Sequence, residues 1–193
     1  YLESKFPFSN IDATNFQRVA DMIEKRYDLT HLNFTKTKDI MPYVDKMFTL
    51  FNGSYASLQS FVPINDIQIE YFKKKYISFI NPEFIKFVMD KEGKMVAFSI
   101  VMPDFAEALQ KAKGKLFPTG FLHLLKAKKK CKTAVFYLIG VLPEYQSKGV
   151  TAILFNENHI SFKKIGRLRA ALHWELSGFF DEKCRFFPLL QFA

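Results

Sequence analysis

Hydrophobic positions recur at helical spacing in the first third of the chain and change to a strand-like period after it. Phe16, Val19, Ala20 and Ile23 share one face of a predicted helix from Asp12 to Arg26, with Asp12 or Thr14 placed to cap it. A weakly alternating stretch from Leu29 to Thr35 leads into a second predicted helix. It starts near Thr37, carries Val44, Met47, Phe48 and Phe51, and is expected to end at Asn52-Gly53. Asn65 to Ile80 predicts a third helix, stopped by Asn81-Pro82 because a residue before proline avoids the helical region.

After the proline the pattern is β-rich. Glu83 to Met89 and Lys94 to Met102 are joined by Asp90-Lys-Glu-Gly93, which predicts a hairpin. Asp104 to Lys113 predicts a short helix, Lys115 to Gly120 a turn around Pro118, and Phe121 to Lys130 a helix with a basic end. Thr133 to Leu142 contains Ala-Val-Phe-Tyr-Leu-Ile almost without interruption, the signature of a central strand buried on both faces. Gly149 to Ile165 predicts a helix with Ala152, Ile153, Phe155, Ile160 and Phe162 on its apolar side and Gly166 at its C-cap. Arg169 to Leu176 predicts a final strand. Helices, a hairpin, then strand, helix and strand make an α+β domain that closes on a βαβ crossover, with no internal repeat.

Composition narrows the class. Hydrophobic residues make up 49% of 193 and 23 are Phe, so the chain has the apolar material for one substantial core. No apolar run reaches the roughly 18 residues of a membrane span, and no basic-then-apolar signal precedes the first helix, so a soluble, cytoplasmic protein is expected. Cys131 and Cys184 have neither metal-ligand spacing nor the density of a disulfide scaffold, and no metal site is expected. The chain opens on Tyr1 rather than Met, which leaves open whether residues precede it. Residues 1–28 are taken as an N-terminal helical segment, with the tail of an upstream region as one reading of it, and residues 29–193 as the main domain.

Lys and Arg number 28 against 19 Asp and Glu, a net charge of +9, which favours a phosphate-bearing partner. The sequence offers a place for one. Pro143-Glu-Tyr-Gln-Ser-Lys-Gly149 is a short polar turn between the predicted central strand and the next helix. At such a junction several N–H groups lack helical partners and the helix dipole adds partial positive charge, so a pyrophosphate can bind without a metal. Gly149 allows close approach of the backbone, and Lys148 adds a candidate charge-assisted contact. The lysines at 111, 113, 115 and 126–132 read as a solvated basic face, since no aromatic residues are interleaved with them as stacking platforms, and neither nucleic acid nor membrane is an expected partner.

Val141-x-Pro-Glu-Tyr-Gln-x-x-Gly149 on a strand-to-helix turn resembles the acetyl-coenzyme A motif of the GNAT acyltransferases: Gln or Arg, two residues, Gly, one residue, then Gly or Ala. Gln146 and Gly149 match, and Thr151 stands at the last position. Ile80-Asn-Pro-Glu-Phe84, Met102-Pro-Asp104, Ala108 to Gly114 and Leu116-Phe-Pro118 also resemble uncharacterised bacterial GNAT-like proteins. The resemblance implies a GNAT-like fold, with a mixed, mostly antiparallel central sheet flanked by helices. It implies acyl-coenzyme A as co-substrate, with acetyl-coenzyme A first, and an amine acceptor that the sequence does not identify.

By the same resemblance, main-chain groups of Leu138, Ile139, Gly140 and Val141 would meet the pantetheine arm, and Gln146, Ser147, Lys148, Gly149, Val150 and Thr151 the pyrophosphate. Gly140 reads equally as a bulge or close-packing glycine. Family members often carry a proton-donating tyrosine after the following strand, and this chain has none after Tyr145. Glu175, sharing a strand face with His173, is the candidate general base. Thr151 and the missing tyrosine motivate a second reading, a GNAT-fold module that binds acyl-coenzyme A or a protein without turnover. Association with further copies of the chain stays open.

Overall fold

A computed structural model describes residues 2–7, 13–77, 80–113, 120–130, 133–165 and 169–174. Among these residues six strands form one sheet: β1 (Leu2–Pro7), β2 (Thr30–Asn33), β3 (Ile85–Met89), β4 (Met95–Pro103), β5 (Thr133–Val141) and β6 (Arg169–Trp174), in the spatial order β1-β6-β5-β4-β3-β2. Every neighbouring pair is antiparallel except β5 and β6, which the crossover helix makes parallel. This is the mixed, mostly antiparallel sheet that the resemblance implies.

Helices cover both faces. On one side α2 (Thr37–Ile40), α3 (Val44–Tyr55) and α4 (Asp66–Phe72) bury Ile40, Val44, Met47, Phe48 and Ile69 against Ile85, Phe87, Phe98 and Ile100. On the other, α1 (Ala13–Tyr27) and α7 (Thr151–Ile165) bury Ala20, Ile23, Ile153 and Leu154 against Val88, Val96 and Val141. Two short helices, α5 (Ala106–Lys111) and α6 (Gly120–Lys130), lie between β4 and β5 in the chain.

Several expectations change. Asn52-Gly53 does not end the second helix, because the chain turns through a 3-10 segment at Met41–Tyr43 and α3 then runs to Tyr55. The Asn52 amide is used sideways instead, donating to Ile64 O and accepting from Ile64 N–H, both at 2.9 Å, which clamps the following loop to the helix. Gly53 is therefore a helix-interior glycine with open space where a Cβ would stand. Gly53→Ala is expected to stabilise the fold by about 0.5–1 kcal/mol and raise the melting temperature by about 2 °C. Calorimetric melting of the two proteins checks it.

Asn65 is the N-cap of α4, in a reciprocal capping box with Gln68, and the helix widens into a π turn at Lys73–Ile77. β5 is not buried on both faces: Tyr137 is 62% exposed, whereas β3 is buried at every position. α7 exposes Ile160 and turns four polar residues inward, namely Asn156, Glu157, Asn158 and Ser161. Asn158 Nδ2 donates to Ser99 Oγ at 2.8 Å, while Ser161 meets Lys86, whose position on β3 points it at α7. Its ammonium donates to Asn33 Oδ1 at 2.5 Å and Ser161 Oγ at 2.8 Å, while Asn33 Nδ2 donates to Glu157 Oε2 at 2.7 Å. The turn at 115–119, Gly166 and the end of the last predicted strand at Leu176 lie outside the described residues.

Candidate functional site

The site is built by the way β5 leaves its neighbours. Among the described residues its parallel pairing with β6 covers Thr133–Phe136 against Arg169–Leu172 and does not extend to Tyr137 or beyond. On the other edge the ladder with β4 skips one β5 residue, since Ile100 faces Leu138 while the next residue, Val101, faces Phe136. The extra residue is Tyr137, a β-bulge. It also inverts the alternation: Ala134 and Phe136 join the core under α7 before the bulge, and Val141 does so after it, with Ile139 packed alongside.

Beyond the bulge, Leu142 N–H donates to Val96 O at 2.9 Å, which sets the phase of the β4–β5 ladder. In an antiparallel pair, bonded and non-bonded positions alternate, so Gly140 and Leu138 point their main-chain groups at β4. Ile139 and Val141 point theirs at the opposite edge, where no described residue of β6 pairs with them. Both carbonyls on that edge have partners. The Tyr55 hydroxyl donates to Ile139 O at 2.9 Å and Gln146 Nε2 to Val141 O at 3.2 Å. Side chains of Leu138, Ile139 and Val141 are taken up by the two cores, leaving main chain for a ligand.

Gly140 is a close-packing glycine. A Cβ there would lie 2.2 Å from Phe98 Cε1, directly across the ladder, so the ring occupies the space a side chain would need. The bulge belongs to Tyr137, three residues earlier.

The predicted anion turn is a 3-10 helix at Pro143–Lys148, capped by Gly149 in the left-handed region at φ 74°. Only glycine adopts that conformation without strain. α7 then begins with Ala152 N–H bonded to Gly149 O at 2.9 Å and Ile153 N–H to Val150 O at 3.1 Å, which places the N–H groups of Val150 and Thr151 at the helix mouth. Val150 buries its side chain at 1% exposure, Thr151 is half-buried and Ser147 exposed. Lys148 Nζ sits 4.0 Å above the Tyr145 ring centre and 5.3 Å from that of Tyr27, and Arg26 lies 5.5 Å from the Tyr27 ring. This stack holds two cations beside the turn. At the rim Lys94 pairs with Glu144 at 2.9 Å, which holds the Glu144 carboxyl below its usual range.

The structure thus gathers Leu138 to Val141 and Gln146 to Thr151 around one strand end and one helix mouth. Glu175 lies outside the described residues; of His173, only its backbone position in β6, opposite Glu3 of β1, is described. The residue that sequence reasoning missed is Tyr55. It stands 84 positions from Ile139, and its only local signal was a four-residue spacing from Phe51. Among the described residues no group of three His, Cys, Asp or Glu side chains could hold a metal ion, and no helix is long and apolar enough to cross a membrane.

No family model matches the sequence, and no curated protein matches it. Solved structures do. A GCN5-related N-acetyltransferase from Sphaerobacter thermophilus superposes with a TM-score of 0.51 at 9% identity, over 78% of this chain and 36% of that one. The GCN5-related glucosamine N-acetyltransferase region of a fungal multi-domain beta-N-acetylglucosaminidase gives 0.50 at 10%, over 92% and 18%. The chain has the GNAT fold. L-PGS from Bacillus licheniformis matches as well, with a TM-score of 0.50 at 13% identity over 89% of this chain and 45% of that one. The GNAT-fold chain thus spans less than half the length of each of these relatives.

Proposed function

We propose that the chain is an acyl-coenzyme A-dependent N-acyltransferase, with acetyl-coenzyme A its first candidate co-substrate and an amine its acceptor. The observation that carries this reading is the stretch of β5 from Tyr137 to Val141, which pairs with no described residue of β6 and leads to a left-handed glycine and a helix mouth. An extended amide-bearing arm fits the first and a pyrophosphate the second. Ile139 and Val141 would offer main-chain groups to the arm, with Leu138 and Gly140 holding the strand to β4. Gln146 closes the turn on Val141 O, while Ser147, Lys148, Gly149, Val150 and Thr151 surround the phosphate position. Glu175 is the proposed general base. Bound acyl-coenzyme A supplies the activated thioester, and the protein supplies position and proton transfer.

A second reading is a module that binds acyl-coenzyme A without turnover. It is motivated by Thr151 at the last position of the motif and by the lack of a tyrosine after Tyr145. Isothermal titration with acetyl-, succinyl- and longer acyl-coenzyme A tests the shared claim. Heat of binding is expected, and its absence across the series removes both readings. Release of coenzyme A over a broad amine panel then selects the enzyme.

A further inference from the structure

Tyr55 closes α3, and its ring is held by Phe51, stacked at 4.7 Å between centroids, and by Phe61 at 6.0 Å. Phe61 belongs to the loop that Asn52 clamps through Ile64. The fold therefore fixes where the ring stands, while the hydroxyl proton can rotate about its C–O bond. That hydroxyl lies on Ile139 O, in the middle of the edge proposed for the acyl-coenzyme A arm. An amide N–H of the arm and the Tyr55 O–H compete for one carbonyl.

We propose that Tyr55 is a displaceable proton donor for the departing thiolate, its hydroxyl proton kept on the Ile139 carbonyl in the free protein and turned away from it when acyl-coenzyme A takes that carbonyl. This rests on the acyltransferase reading. Tyr137 is 62% exposed at the bulge, and Tyr145 lies under the Lys148 ammonium at 4.0 Å, so neither offers a donor held by the fold at this edge. In the step, the amine nitrogen forms its bond to the acyl carbon as the C–S bond breaks. The sulfur takes the Tyr55 proton, and the phenolate recovers one, through solvent, from the nitrogen just acylated. A phenol is protonated at neutral pH and a thiol ionises only about 1.5 units below it, so the transfer needs no further charge.

Tyr55→Phe removes one oxygen and keeps the ring, so its melting temperature should stay close to that of the original protein. Two readouts then move in opposite directions. Affinity for acetyl-coenzyme A by titration calorimetry is expected to rise by about threefold to tenfold, because no hydrogen bond has to be given up on binding. The turnover number, read as coenzyme A release with an amine from the panel above, is expected to fall on the order of 100-fold. Unchanged turnover overturns the donor role, and unchanged or weaker affinity overturns the displacement. Absence of heat with the original protein would instead defeat the acyltransferase reading, and binding without coenzyme A release by that protein would overturn the donor while leaving the binding module.

Discussion

Raising the pH from 8 to 10.5 is expected to stabilise this protein by about 3 kcal/mol relative to a Lys86→Met variant. Lys86 is 3% exposed. Burial pushes its ammonium down to about 8 from the ordinary 10.5, Lys164 pushes the same way, and Glu157 and Glu83 pull against them. The unfolded chain keeps the proton up to 10.5 whereas the folded protein releases it near 8. Between these values the unfolded state binds more protons, so stability rises with pH. Below pH 8 both states are protonated and the cost of burying the charge is present in full. Methionine fills the space without titrating, and other lysines and tyrosines change alike in both proteins.

Denaturant unfolding at pH 7.5, 9 and 10.5 reads the difference directly, and a flat difference would mean that Lys86 does not titrate in this window. Glu157→Gln keeps the acceptor for Asn33 but removes a charge that holds the proton on Lys86. In that variant the rise should begin below pH 8.

Gly140→Ala is expected to cost about 1–3 kcal/mol, near the upper end of that range. The new methyl would stand 2.2 Å from Phe98 Cε1 and 3.0 Å from Cδ1 and Cζ. Phe98 is fully buried and belongs to the core under α3, so its ring cannot swing into solvent. Either β5 bows away from β4 or the core reopens. Phe98→Leu alone loses packing, but in the Gly140→Ala background it makes room for the methyl. The double variant should therefore be more stable than the sum of the single changes, by an amount that denaturant titration of all four proteins measures. Simple additivity would show that the strand absorbs the methyl by moving.

The hairpin, the crossover and the motif turn were legible in the sequence because each is local. Asp90 to Gly93 is a turn between two β-rich runs, and the Gln146-to-Gly149 spacing lies within one turn. The rest depends on residues that meet only in the fold. Nothing near Lys86 in sequence announces Asn33 or Ser161, and an apolar run such as Ala134 to Ile139 does not reveal that a bulge will turn Tyr137 to solvent. Asn52-Gly53 has the composition of a helix end, but two hydrogen bonds from the loop at Ile64 claim the asparagine while the helix passes on to Tyr55. β1 was missed although Leu2, Ser4 and Phe6 alternate with Glu3 and Lys5, since a six-residue strand carries little signal by itself.

The pairing of β1 with β6 joins segments about 160–170 residues apart in the chain. During synthesis β1 emerges before the other described strands and meets its partner once β6 follows, and β6 in turn docks beside β5 only after α7 has crossed the sheet. Loop closure over that distance is among the slowest kinds of contact to form. The hairpin of β3 and β4 with the helices packed on it is thus the natural early nucleus, and β1, the earliest of the described strands in the chain, is the last of them to find its place.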